Sequence, residues 1–213
     1  MPNGATERLT CPSDGMPDIV RFDSTGVLGE NFTYLITDDQ NNILSVPTGD
    51  FADLDGAGPG ASRIWGLAYT GNLTITVGEN AAEAILSDEC FDLSDNYILV
   101  VRVIPDAGTI ATSDGSTAIS LCANEGEDTP LTFSVSDNTV IPPLAYVLTD
   151  EENVIIELST DNEINFAGRT GTFRVHALSY TGNITATVGD DADEMALTDD
   201  CFDLSDNFVT VTV

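Results

Sequence analysis

The seven residues CFDLSDN occur twice, letter for letter, at residues 90–96 and again at 201–207. They belong to a longer duplication. RIWGLAYTGNLTITVG at 63–78 matches RVHALSYTGNITATVG at 174–189, and Cys11 corresponds to Cys122, all at an offset of 111. YLITDDQNNIL from Tyr34 matches YVLTDEENVII from Tyr146 at an offset of 112, so one residue has entered or left a loop. Solenoid repeats run to about 20–50 residues, so a period this long makes each copy a domain in its own right. The expected boundaries are 6–104 and 116–213, with 105–115 as a linker rich in Pro, Gly, Ser and Asp.

Within each copy the pattern is that of strands. LTITV and ITATV alternate apolar residues with threonine, the period-two signature of a strand with one dry face. Gly71-Asn72 and Gly182-Asn183 stand between two such runs and suit a tight hairpin turn. YLIT-DDQNN-ILSV reads as a second hairpin with a longer polar loop. ENAAEAILSDE offers at most one or two helical turns. About 100 residues carrying some seven short strands predict an all-β fold: two tandem immunoglobulin-like β-sandwich domains.

Charge limits the partners. The chain carries 36 acidic residues against six basic ones, all arginine, for a formal net charge of −30. Such a surface repels nucleic acid and anionic membranes and gathers cations. Hydrophobic residues make up 42% of the chain, enough for real cores. No stretch approaches the roughly 20 apolar residues of a membrane span, and MPNGATERLT lacks the profile of a signal peptide. The last residues, NFVTVTV, read as mid-strand, so a segment of a longer protein is expected.

Four cysteines allow three pairings. The duplicated spacing favours one bond inside each copy, Cys11–Cys90 and Cys122–Cys201. A Cys90–Cys122 bond across the linker is the rival, leaving Cys11 and Cys201 for neighbouring modules. Either arrangement suits an oxidising, extracellular setting. A bond inside each copy would also keep about 80 residues from paying out under tension.

CFDLSDN itself has two readings. Asp92 and Asp95, with Asp203 and Asp206 in the second copy, are candidate calcium ligands, aided by Asp88, Glu89, Asp199 and Asp200. GENAAE and GDDADE are secondary candidates. The alternative is a joint, in which Phe91 and Leu93 face the core and Ser94-Asp95-Asn96 turns the chain into its last strand. The spacing departs from the D-x-[DN]-x-[DN]-G calcium loop, which favours the joint. His176, the single histidine, fills the slot of Trp65 and reads as a packing residue. No serine or cysteine is patterned with a base, so an enzyme is not expected.

Together YLITDDQNNIL, GAGPGASRIWGLAYTGNLT and CFDLSDN resemble a module repeated in giant secreted surface proteins of Bacteroidota. The resemblance covers both copies nearly end to end, although the second has NFAGRTGTFRVHALSYTGN in place of the Gly-Pro-rich stretch and the tryptophan. It implies type 9 secretion, a location at the bacterial cell surface, and a spacer role in an adhesin or filament. The partners it implies are neighbouring repeats and homo-oligomeric bundles. The competing expectation is a calcium-dependent module that binds a carbohydrate or a cell-surface receptor.

Overall fold

A computed structural model describes residues 4–27, 29–122, 128–136 and 143–213. The chain divides into two compact units, Met1–Val103 and Ile104–Val213. Residues 105–115, which read as a linker in the sequence, fall within the second of these units.

The first unit contains β1 (Glu7–Thr10), β2 (Ile19–Arg21), β3 (Asn31–Asp38), β4 (Ile43–Ser45), β5 (Phe51–Asp53), β6 (Gly60–Tyr69) and β7 (Phe91–Arg102). Five form a sheet in the order β1-β7-β6-β3-β4, and β2 pairs β5 in a small second sheet. The second unit contains β8 (Thr109–Thr112), β9 (Ala118–Ser120), β10 (Pro130–Ser136), β11 (Leu144–Thr149), β12 (Ile155–Ser159), β13 (Glu163–Asn165), β14 (Thr172–Tyr180), β15 (Phe202–Leu204) and β16 (Val209–Thr212). Its large sheet runs β12-β11-β14-β16-β9, with β15 also on β14, and its small sheet runs β13-β10-β8. Both units are all-β sandwiches.

The large sheet of each unit is dry on both faces. In β3, Ile36 faces the small sheet with Val20, Phe22, Ile64, Ile98 and Val100. Its neighbour Leu35 faces the other way, packing with Ile43, Leu67, Ala81 and Leu86. Successive side chains on a strand point to opposite faces, so a run as apolar as YLIT signals cover on both sides. The second cover is the irregular segment after β6. LTITV, expected as a strand, makes no ladder there; it touches its neighbours through an isolated bridge, Leu73 to Ser87, repeated as Ile184 to Thr198.

The polar hairpin loop is as expected. Asp38 Oδ1 accepts from the amides of Gln40 (2.9 Å) and Asn42 (2.8 Å), while Asn41 takes φ 66°. These bonds, led by the one from the Asn42 side chain, hold the Asp38 carboxyl below its usual range. Asp150 turns the second unit in the same way through Glu152 and Val154.

Candidate functional site

The four cysteines mark the poles of the two units. Strand β1 runs parallel to the end of β7, Thr10 opposite Arg102, which places Cys11 at the trailing end of β7. Cys90 lies just before β7 begins, where its carbonyl accepts from Thr70 N at 2.9 Å. Between those ends β6 spans Gly60, opposite Arg102, to Tyr69, opposite Phe91. Nine residues of strand cover roughly 30 Å, whereas a disulfide needs Cα atoms within about 7 Å.

The second unit repeats the arrangement. Cys122 follows β9 at the Thr212 end of β16, and the Cys201 carbonyl accepts from Thr181 N at the far end of β14. The expected bonds Cys11–Cys90 and Cys122–Cys201 are therefore not formed. Cys11 and Cys201 are disulfide-bonded, and Cys90 and Cys122 are exposed free thiols. Sequence spacing suggested closure of each copy on itself; the parallel pairing of its first and last strands puts the two sulfurs at opposite poles.

CFDLSDN is put to different uses in the two copies. In the second unit it grips the incoming chain. Asp203 Oδ2 accepts from Ala107 N at 2.8 Å, and Asp206 N donates to Gly108 O at 2.8 Å. Ile110 N donates to Asn207 Oδ1, and Asn207 Nδ2 donates back to Ile110 O, both at 2.8 Å. The segment is a joint there, and what it joins is β8, inside the expected linker. The signal that could have found β8 is the apolar pair Ala107 and Ile110, both buried.

In the first unit Asp92, Asp95 and Asn96 line an open cleft of about 380 Å³ together with Asp23, Tyr34 and Tyr97. Ser94 is fixed, accepting from Gly66 N at 3.0 Å and donating to Asn96 O at 2.6 Å. Among the described residues, none of the candidate ligands Asp92, Asp95, Asp203 and Asp206 falls in a group of three or more side chains close enough to share a cation.

Asp88 and Asp199 play a structural part. Asp88 accepts from Asn72 N at 2.6 Å and from Asn72 Nδ2 at 3.0 Å, and Asp199 does the same for Asn183. The asparagine side chains hold both carboxyls below the usual range. Gly71 and Gly182 both take φ 70°, and a Cβ on either would run into the paired aspartate.

His176 sits against Phe208, centroids 5.4 Å apart, as Trp65 sits against Tyr97 at 4.7 Å. Burial lowers its pKa, with Asp193 opposing and Arg174 reinforcing the shift. Trp65 donates to Thr37 Oγ1 at 3.1 Å. In the second unit the matching atoms, His176 Nε2 and Thr149 Oγ1, are buried without hydrogen-bond partners among the described residues. Tyr97 and Phe208 are partly exposed, but Arg63 and Arg174 lie over their rings at 5.1 and 5.0 Å.

No known protein family matches the chain, and no curated protein matches it. Among solved structures, the fibronectin(III)-like modules of Clostridium thermocellum CbhA are similar, with 13% identity and a TM-score of 0.40, over 99% of this chain and 90% of that one.

Proposed function

We propose that the chain is a load-bearing spacer from a secreted bacterial surface protein of the adhesin or filament kind, exported by the type 9 route. The observation that carries this reading is the parallel pairing of β1 with β7 in the first unit and of β9 with β16 in the second. In the first unit β1 and β7 pair from Glu7–Leu99 to Thr10–Arg102, extended by Leu99 N to Thr6 O at 2.8 Å and Val103 N to Thr10 O at 3.0 Å. In the second, β9 and β16 pair from Ala118–Thr210 to Ser120–Thr212, with Thr210 N to Thr117 O at 2.9 Å and Leu121 N to Thr212 O at 2.8 Å.

Tension applied between the two ends of a single unit pulls such strands past each other. The hydrogen bonds lie across the pull and share it, so they must fail together instead of one at a time. Forced unfolding follows the height of that barrier. The disulfide-bonded state of Cys11 and Cys201 supports an extracellular setting, and the acidic surface suits a medium whose salt screens self-repulsion.

Single-molecule stretching under reducing conditions tests the reading, because the oxidised chain would pass the load between the disulfide-bonded Cys11 and Cys201. Leu121→Pro deletes the donor to Thr212 O and should lower the unfolding force of the second unit while the first keeps its own. Equal forces for wild type and variant would refute the clamp.

A further inference from the structure

The two units have the same small-sheet framework, but among the described residues the first has one strand fewer. Asp18 N donates to Asp53 Oδ1 at 3.0 Å, as Thr129 N donates to Asn165 Oδ1 at 3.0 Å. Phe22 N donates to Asp50 O at 2.7 Å, as Phe133 N donates to Asn162 O at 2.8 Å. Phe22 is thus the counterpart of Phe133, and residues 23–25 of residues 134–136. In the second unit Phe133 to Ser136 pair with β8 in antiparallel register, Thr112 to Thr109. In the first unit β2 pairs with β5 alone among the described strands, and Asp23, Ser24 and Thr25 line the open cleft instead.

The apolar side of the cleft matches as well. Ala107 and Ile110 are buried against Phe133, Tyr146, Val175, Ala177 and Val209. Four of the five first-unit counterparts, Tyr34, Ile64, Gly66 and Ile98, line the cleft. Its polar side is set in advance. Gly66 N to Ser94 Oγ (3.0 Å) and Ser94 Oγ to Asn96 O (2.6 Å) reproduce Ala177 N to Ser205 Oγ (3.0 Å) and Ser205 Oγ to Asn207 O (2.7 Å). Asp92 and Asn96 are the counterparts of Asp203 and Asn207, which grip Ala107 and Ile110, and both line the cleft.

We propose that this cleft is a strand-receiving groove, and that its occupant is the extended segment trailing the last strand of another copy of this module. The matching segment in this chain, residues 104–113, begins one residue after Val103, the last residue of the first unit. A module and its trailing segment therefore come as one piece, and insertion of that piece into the next groove joins copies head to tail. Residues 107–112, AGTIAT, carry no charge, which suits a groove lined by Asp23, Asp92 and Asp95. Strand addition of this kind draws affinity from main-chain bonds and specificity from alternate side chains. Here the isoleucine is the anchor and the Asn96 amide the clasp.

The test is titration of a synthetic peptide, IPDAGTIATS, into the isotope-labelled chain, followed by NMR. Expected are saturable one-to-one shifts at Ser24, Ser94 and Asn96, with Ser205 and Asn207 unmoved. A peptide with aspartate in place of the isoleucine should not bind. Asn96→Ala, with Trp65 fluorescence confirming an intact fold, should weaken binding by roughly tenfold or more, since two hydrogen bonds are lost. Absence of shifts at about 1 mM peptide, near −4 kcal/mol of binding, would overturn the proposal. So would binding indifferent to both changes. A negative result would leave the β1–β7 clamp unaffected, because the paired residues, Glu7–Thr10 and Leu99–Arg102, are not among those lining the cleft.

Discussion

Asn207 holds Ile110 by both ends of its amide, accepting from the backbone N–H and donating to the carbonyl, each at 2.8 Å. Its twin Asn96 has the same sequence around it and lines an open cleft.

Asn207→Ala should therefore destabilise the second unit by about 2–3 kcal/mol, because both backbone groups of a buried residue lose their partner. Asn96→Ala should change the first unit by less than about 0.5 kcal/mol, as surface substitutions without partners do. Trp65, the single tryptophan, reports the first unit by fluorescence, and circular dichroism reports both during denaturant titration.

Two thiols per chain should react with iodoacetamide under native, non-reducing conditions, and peptide mapping should place them at Cys90 and Cys122. Cys11 and Cys201 should label only after reduction and unfolding. Adducts on Cys11, or none at all, would contradict the pole-to-pole placement.

The second unit should lose stability as pH falls below 6.5. Burial lowers the folded pKa of His176 below that ordinary value, so across the window between the two values the unfolded chain binds more protons. The slope is at most about 1.4 kcal/mol per pH unit, and it ends once the folded pKa is passed. Above 6.5 both states are neutral and the contribution is fully present. His176→Trp should abolish this acid sensitivity and offer an indole N–H to Thr149, as Trp65 does to Thr37. The midpoint of denaturation measured from pH 7 to 5, compared between wild type and variant, gives the difference directly.

Local chemistry was easier to read in the sequence than pairing. The DDQNN and DEENV loops announce their turns because Asp38 and Asp150 bond amides two and four residues on, which is a local matter. Alternation in LTITV correctly marks Leu73 and Ile75 as inward, packed on the far face of the sheet, yet alternation does not say whether a ladder partner exists. The β8 segment was hidden by its composition: Pro, Gly, Ser and Asp look like linker, and Ala107 and Ile110 matter only once a groove is present to receive them. The cysteines were misread because duplication fixes their order along the chain and leaves their separation to strand direction. Parallel pairing of β1 with β7 sets that separation.

The clamp is tested most directly by changing the direction of pull on one unit. Handles at Thr117 (as Thr117→Cys, with Cys90→Ser and Cys122→Ser) and after Val213 load β9 against β16 in shear. Handles at the native Cys122 thiol, with Cys90→Ser, and after Val213 grip the same end of the pair and peel it open. The account predicts a several-fold higher rupture force for the first geometry. Equal forces in the two directions would contradict it.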